Sequence, residues 1–206
     1  MANFHQRYAD ITPDFAAFLA EHQRNVLVNY KTATRYRVFD IVGIPGFLQT
    51  PEYARAMLSS IRRAKGQTTE GVDIAVAERR KREELLHDGE HTLDIVLSQP
   101  AIRHVIGGDP AVLAGQLLHV LTAMDWPSVT IGVMRDFNYG PNLWPQDTFY
   151  ILDSAQVLLE NPIEHTKVLE PEDIAVYERI FQSLTELAAY GDEAKYLIRD
   201  VLDSLT

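Results

Sequence analysis

Cysteine is absent from the 206 residues. That absence excludes disulfides, thiolate-ligated zinc, iron–sulfur clusters and thiol nucleophiles, and leaves any chemistry to carboxylates, imidazoles, phenols, hydroxyls or a borrowed cofactor. Basic residues are scarce: 19 Lys and Arg stand against 29 Asp and Glu, a formal charge of −10. The averaged field repels phosphate backbones and anionic membranes, so direct nucleic-acid binding is not expected. Long apolar runs are missing as well. No stretch approaches the ~18 apolar residues of a membrane span, and Met1-Ala2-Asn3-Phe4-His5 lacks a basic segment leading into an apolar one. A cytoplasmic protein without membrane partners is the expectation. There is no internal repeat or low-complexity tract, so residues 1–206 read as one domain, with possible lobes 1–70 and 71–206 meeting near Gly66–Gly71.

What is present is ordinary globular composition, 46% hydrophobic, patterned for both helix and strand. Apolar residues at steps of three and four predict helices over 14–29, 51–63, 71–88, 109–124, 170–189 and 192–205. Alternation predicts short strands over 92–97, 129–134, 149–152 and 157–160, and over 35–42 it allows either a short strand or continuation of the first helix. The fold class that follows is α+β, mostly helical with a small central sheet of short strands. Within 71–88, Ile74, Ala77, Leu85 and Leu86 are expected to face inward. The run Glu78-Arg79-Arg80-Lys81-Arg82-Glu83-Glu84 is expected to be a solvated face.

The run Ile44-Pro45-Gly46-Phe47-Leu48-Gln49-Thr50, followed by Pro51-Glu52-Tyr53-Ala54-Arg55-Ala56, resembles the signature of the C-terminal domain behind the helix-turn-helix of many actinobacterial XRE-type regulators. The similarity continues through the Arg-rich helix, Leu85-Leu86, a strand at 93–97, Gly107-Gly108, the helix with Gln116-Leu117-Leu118-His119, and a strand at 129–134. It implies a sensor or protein-interaction module whose partner is a small-molecule ligand or a small protein, and whose expected state is a homodimer. Such regulators carry roughly seventy residues of helix-turn-helix ahead of this region, and only about 25 precede it here, so a domain lacking its DNA-reading head is expected.

The segment from Met134 to Asp147 departs from that resemblance in being aromatic and polar. Phe137, Asn138, Tyr139 and Trp144 there, with Gln99 and Arg103 after the preceding strand, are the candidate ligand-binding residues, because flat apolar area beside a few polar groups fixes a ligand's orientation. The alternative is a cofactor-independent acid–base enzyme, a cyclase or isomerase of specialised metabolism, with His104, Asp136, Tyr139 and Asp147 as proton-transfer groups. His119 is expected to make a structural hydrogen bond, and Arg55 to tie its helix to a carboxylate or backbone carbonyls. Glu84-x-x-His87 with His91 is one isolated metal-like step, so no metal is expected, and no cofactor.

Overall fold

The computed structural model describes residues 4–7, 15–136, 139, 143, 147–160 and 164–205. The fold is α+β. Its elements, in chain order, are β1 (Phe4–Arg7), α1 (Phe15–Lys31), β2 (Arg35–Asp40), α2 (Pro51–Ala64), α3 (Val72–Glu84), β3 (Thr92–Leu97), α4 (Gln99–Arg103), α5 (Pro110–Ala123), β4 (Val129–Met134), β5 (Thr148–Leu152), β6 (Gln156–Glu160), β7 (Glu164–Val168), α6 (Pro171–Leu187), β8 (Ala188–Ala189) and α7 (Gly191–Ser204). Side chains with an oxygen acceptor start three of these helices. Thr50 accepts from Tyr53 N, Ser98 from Ala101 N and Asp109 from Ala111 N, each followed by a proline in the first turn, where its missing N–H costs nothing.

One sheet of eight strands runs β1-β7-β6-β5-β2-β3-β4-β8. Strands β2, β3 and β4 are parallel, each crossover carrying helices, whereas β5, β6, β7 and β1 extend the sheet by antiparallel pairing. Three of the eight lie outside the expected set. β8 is two alanines at the end of the expected last-but-one helix, which stops at Leu187 so that Ala188 and Ala189 pair with Met134 and Val133.

Alternation along the strands divides the core. Tyr36, Val38, Leu93, Ile95, Ile131, Tyr150 and Leu152 pack with residues of α1, α2, α5 and α7 on one face. Phe39, Val96, Met134, Phe149 and Ile151 pack with Ile174, Phe181 and Leu184 of α6 on the other.

The expectation for α3 requires correction. Ile74 is 54% exposed and Ala77 is also exposed, whereas the buried stripe is Val72, Ala75, Val76, Arg79 and Arg82. Those residues step by three, one, three and three, which is proper helical spacing, but two of the five are arginines. Leu85 and Leu86, just past the helix, are buried as expected.

Candidate functional site

Arg79 and Arg82 lie in the interior with relative exposures of 7% and 1%. Glutamine oxygens are what meet them. Arg82 Nη2 donates to Gln23 Oε1 at 2.6 Å and Arg79 Nη1 to the same oxygen at 3.3 Å, while Arg79 Nε donates to Gln49 Oε1 at 2.6 Å. Gln49 is fixed in turn, its amide nitrogen donating to Ile44 O at 2.6 Å. Among the described residues no carboxylate lies within 4.0 Å of either guanidinium, and Arg82 Nε and Nη1 have no hydrogen-bond acceptor. The Arg82 guanidinium carbon sits 5.4 Å from the centre of the Tyr30 ring, whose buried hydroxyl is likewise without a partner. Burial, and then the neighbouring Arg79, push Arg82 down to about 10, which leaves it cationic at neutral pH. Burial raises the Tyr30 phenol, and Glu160 at the end of β6 adds to the rise.

The local sequence explains how two cations fit there. Gly46 lies against both: a Cβ at that position would stand 2.4 Å from Arg82 Nη1 and 3.0 Å from Arg79 Cζ. Pro45-Gly46-Phe47 therefore crosses the guanidiniums as bare backbone, and Phe47 turns inward onto Tyr30 and Tyr36 at centroid distances of 4.5 and 4.7 Å. Behind this loop, Gln116 of α5 donates to Leu48 O and accepts from Thr50 N, which holds the loop's far end.

The loop springs from the carboxyl end of β2, where open sheets with parallel strands place their ligands. Asp40 ends that strand, buried, and its Oδ1 accepts from Val42 N, Gly43 N and Thr148 Oγ1. Burial is the largest influence on its carboxyl and pushes it up to about 6 against those hydrogen bonds. Tyr53, whose hydroxyl accepts from Ile44 N, feels both Asp40 and Arg79, so the strand end and the arginine pair belong to one polar interior.

An open groove of about 600 Å³ lies on the opposite face, between the sheet and α6, with Arg35, Arg37, Arg179 and Tyr190 in its wall. Two of its arginines have carboxylate partners, Arg35 with Asp94 at 2.8 Å and Arg37 with Glu178 at 2.6 Å. That neutralisation distinguishes the groove from the interior pair.

The residues singled out from the sequence fall in several places. Gln99 and Arg103 come together, Arg103 Nε donating to Gln99 Oε1 at 2.9 Å, and buried Gln99 donates to Met134 O at 2.6 Å, which ties α4 to the end of β4. His104 is exposed, with Nδ1 3.1 Å from Val42 O. Tyr139 is half-buried and meets Phe39 edge-on at 6.4 Å, on the α6 side of the sheet, and burial raises its phenol. Asp136 and Asp147 are exposed at the two ends of that segment. Phe137, Asn138 and Trp144 lie outside the described residues. Among the described residues, no hydrogen bond joins His104 to Tyr139 or Asp147. His119 Nε2 lies 3.2 Å from Glu83 Oε2 but outside hydrogen-bonding geometry, whereas Arg55 Nε donates to Asp73 Oδ1 at 2.7 Å, the kind of carboxylate partner expected for it. The arginine pair was missed because a charge run reads as solvated. The readable signal was the glycine of Pro45-Gly46, which lies in the turn closed by Leu48 N donating to Pro45 O, needs no positive φ there, and so marks a close approach.

The architecture thus defines an α+β protein with a polar interior beneath the loop that follows its first parallel strand. Residues 24–200 match the family DUF5753, described as a domain of unknown function, and the chain belongs to that family. No curated protein matches the chain. Among solved structures, NucT from Helicobacter pylori is similar with a TM-score of 0.50 and 10% identity, over 92% of this chain and 98% of that one. Nuc from Salmonella typhimurium, a phospholipase D family member, gives 0.45 and 9% over 92% and 97%. The archaeal chromatin protein TrmBL2 gives 0.43 and 10% over 93% and 55%. The likeness to NucT is one of fold. At 10% identity it carries over no residue's role.

Proposed function

We propose that this chain is the ligand-sensing or protein-interaction domain of a transcription-regulator-like protein, receiving a small molecule in the polar interior beneath the 43–50 loop. The resemblance of the Pro45-Gly46-Phe47-Leu48-Gln49-Thr50 signature to XRE-type regulators supports the class. The formal charge of −10 supports a domain that does not itself grip DNA, and a homodimer in the cytoplasm is the state proposed for it.

One observation carries the reading: among the described residues Arg82, 1% exposed, has two donor nitrogens, Nε and Nη1, with no acceptor and no carboxylate within ion-pair distance. Each unmet buried donor costs on the order of 1–3 kcal/mol, and an unpaired buried charge costs more. A buried donor without an acceptor calls for something that completes it, and a bound ligand is one such partner. The test is native mass spectrometry of the protein purified gently from its own host. A small molecule should be released on denaturation from the wild type and be missing from Arg82→Met. Wild-type protein that carries nothing, and that no compound from a host extract stabilises, would contradict the reading.

A cofactor-independent acid–base enzyme is the second reading, and Asp40 favours it over the groups first suspected. A buried carboxyl at about 6, in the same interior as Tyr53, is poised to exchange a proton near neutral pH. Turnover of a candidate substrate that falls at least a hundredfold in Asp40→Asn and is spared in His104→Ala would establish it. Equal rates in both variants would end it.

A further inference from the structure

Helix α5 lacks the charge that the other long helices carry. Its 14 residues include no Asp, Glu, Lys or Arg, whereas α1, α2, α3, α6 and α7 each hold several. One side of α5 is core, with Leu113, Gln116, Leu117, Val120 and Ala123 buried. The opposite side is exposed and consists of Ala111, Gly115, Leu118 and Thr122, whose steps of four, three and four make one straight stripe along a helix. Thr122 Oγ1 donates to Leu118 O at 3.1 Å, so the one hydroxyl of the stripe is met within the helix. A helix that is apolar on every side is normally covered on every side, yet Leu118 is 57% exposed. Other large apolar side chains exposed among the described residues, such as Ile74 beside Asp73 and Leu169 beside Glu170, have a charged residue within three positions. The nearest to Leu118 is Asp125, seven positions away.

Gly115 points the same way. Its φ is not positive, and a Cβ built on it meets nothing within 4 Å. Glycine inside a helix costs stability relative to alanine, because it has more freedom to lose on folding. Within the single chain nothing offsets that cost, whereas a second helix lying close against the stripe does.

The occupant follows from charge and from spacing. Two copies of a chain with a formal charge of −10 repel one another, so they can meet stably only on a surface free of charge. The stripe is such a surface, and its spacing reads the same from either end. Two copies of α5 running antiparallel about a twofold axis midway along it place Leu118 of each beside Gly115 of the other, and Ala111 of each beside Thr122 of the other. One stripe thus supplies both the projecting side chain and the gap that receives it. The acidic residues at its ends are occupied, Asp109 Oδ1 accepting from Ala111 N and Asp125 Oδ1 from Lys195 Nζ at 2.7 Å.

We infer that the outer face of α5 is the seam of a homodimer, two copies packing antiparallel through Ala111, Gly115, Leu118 and Thr122. This rests on the homodimeric state proposed above and locates its interface. The seam lies on the helical layer, away from the groove beside α6.

Sedimentation velocity of the whole chain at about 100 μM, a concentration suited to an interface of one helix pair and its flanks, should show a dimer. Added sodium chloride should strengthen it, since salt screens the repulsion between two acidic copies and has no ion pair to weaken. Leu118→Glu should be monomeric with an unchanged circular dichroism spectrum. Gly115→Ala should weaken the dimer at least about tenfold while raising the melting temperature of dilute, monomeric protein, opposite signs that a merely structural role for the glycine does not give. The chain has no cysteine, so single thiols report the register. An equal mixture of Ala111→Cys and Thr122→Cys should be joined by a short bismaleimide, whereas Ala111→Cys alone, with its thiols about 16 Å apart along the seam, should not.

A dimer that persists in Leu118→Glu overturns the seam and leaves the homodimer standing. Linkage of Ala111→Cys alone in preference to the mixture overturns the antiparallel packing. A wild type that stays monomeric, including one whose α5 face binds a different protein, overturns both the seam and the homodimeric state, while ligand release in native mass spectrometry tests the sensing reading separately.

Discussion

Replacing Gly46 by alanine tests the packing from which the site is built. The added methyl would stand 2.4 Å from Arg82 Nη1 and 3.0 Å from both Cζ and Nη2 of Arg79. Ordinary contact lies at about 3.5–4.0 Å, so the Arg82 guanidinium has to retreat by about 1 Å. A surface arginine would swing aside freely. Here the retreat is blocked by the Tyr30 ring at 5.4 Å and breaks the 2.6 Å bond to Gln23. Overpacking of a filled interior costs about 1–3 kcal/mol, which for a chain of this size lowers the melting temperature by roughly 2–10 °C. Urea denaturation of the wild type, Gly46→Ala, Arg82→Met and the double variant measures the coupling. The slimmer, uncharged methionine should absorb most of the clash, giving an interaction of at least about 1 kcal/mol between the two sites. A Gly46→Ala protein within about 0.5 kcal/mol of the wild type, or a penalty undiminished by Arg82→Met, would refute the close approach.

Asp40 predicts a pH dependence. With its folded pKa of about 6 above the ordinary 3.8, its contribution to stability is complete below about pH 4 and is lost as pH rises through about 6, by about 3 kcal/mol. Asp40→Asn keeps the acceptor oxygen and abolishes the titration, so its stability relative to the wild type should climb between pH 4 and 7; a difference that stays flat in stepwise denaturation contradicts the burial argument. Asp153 turns the β5–β6 hairpin with φ of +48° and accepts from Thr34 N and Arg35 N at 3.0 and 2.8 Å. Asp153→Ala should therefore cost about 1–2 kcal/mol in urea denaturation, by analogy with a lost cap. The Arg55–Asp73 pair is exposed at both ends, and Arg55→Ala should change stability by less than about 0.5 kcal/mol in the same assay. A methyl on Gly132 would stand 2.6 Å from the Tyr190 ring, so Gly132→Ala should expel that ring and raise its fluorescence exposure to added iodide.

Much of the fold was legible because local pattern and tertiary burial agree. Thr92-Leu93-Asp94-Ile95-Val96-Leu97 alternates, and it is the strand β3 over those same residues, with Leu93, Ile95 and Leu97 on one face. Thr50-Pro51 and Asp109-Pro110 announce helix starts by chemistry that acts within one turn. Legibility fails where the cause is distant. Ala188-Ala189 has a helical pattern and becomes strand only because the edge of β4 lies beside it. The stripe of α3 was misplaced because burial was inferred from hydrophobicity, whereas Arg79 and Arg82 are buried through Gln23 and Gln49, which are 56 and 30 residues from Arg79 in sequence. For the site, Gln99 and Arg103 were named as ligand-binding candidates and are joined by a hydrogen bond, while the arginine pair needed the third dimension.

The most direct measurement is a crystal structure of the protein with the molecule retained from its host. The prediction is density beneath the 43–50 loop, with an acceptor in hydrogen-bonding reach of Arg82. Density confined to the groove between the sheet and α6, with the arginine pair unchanged, would contradict it.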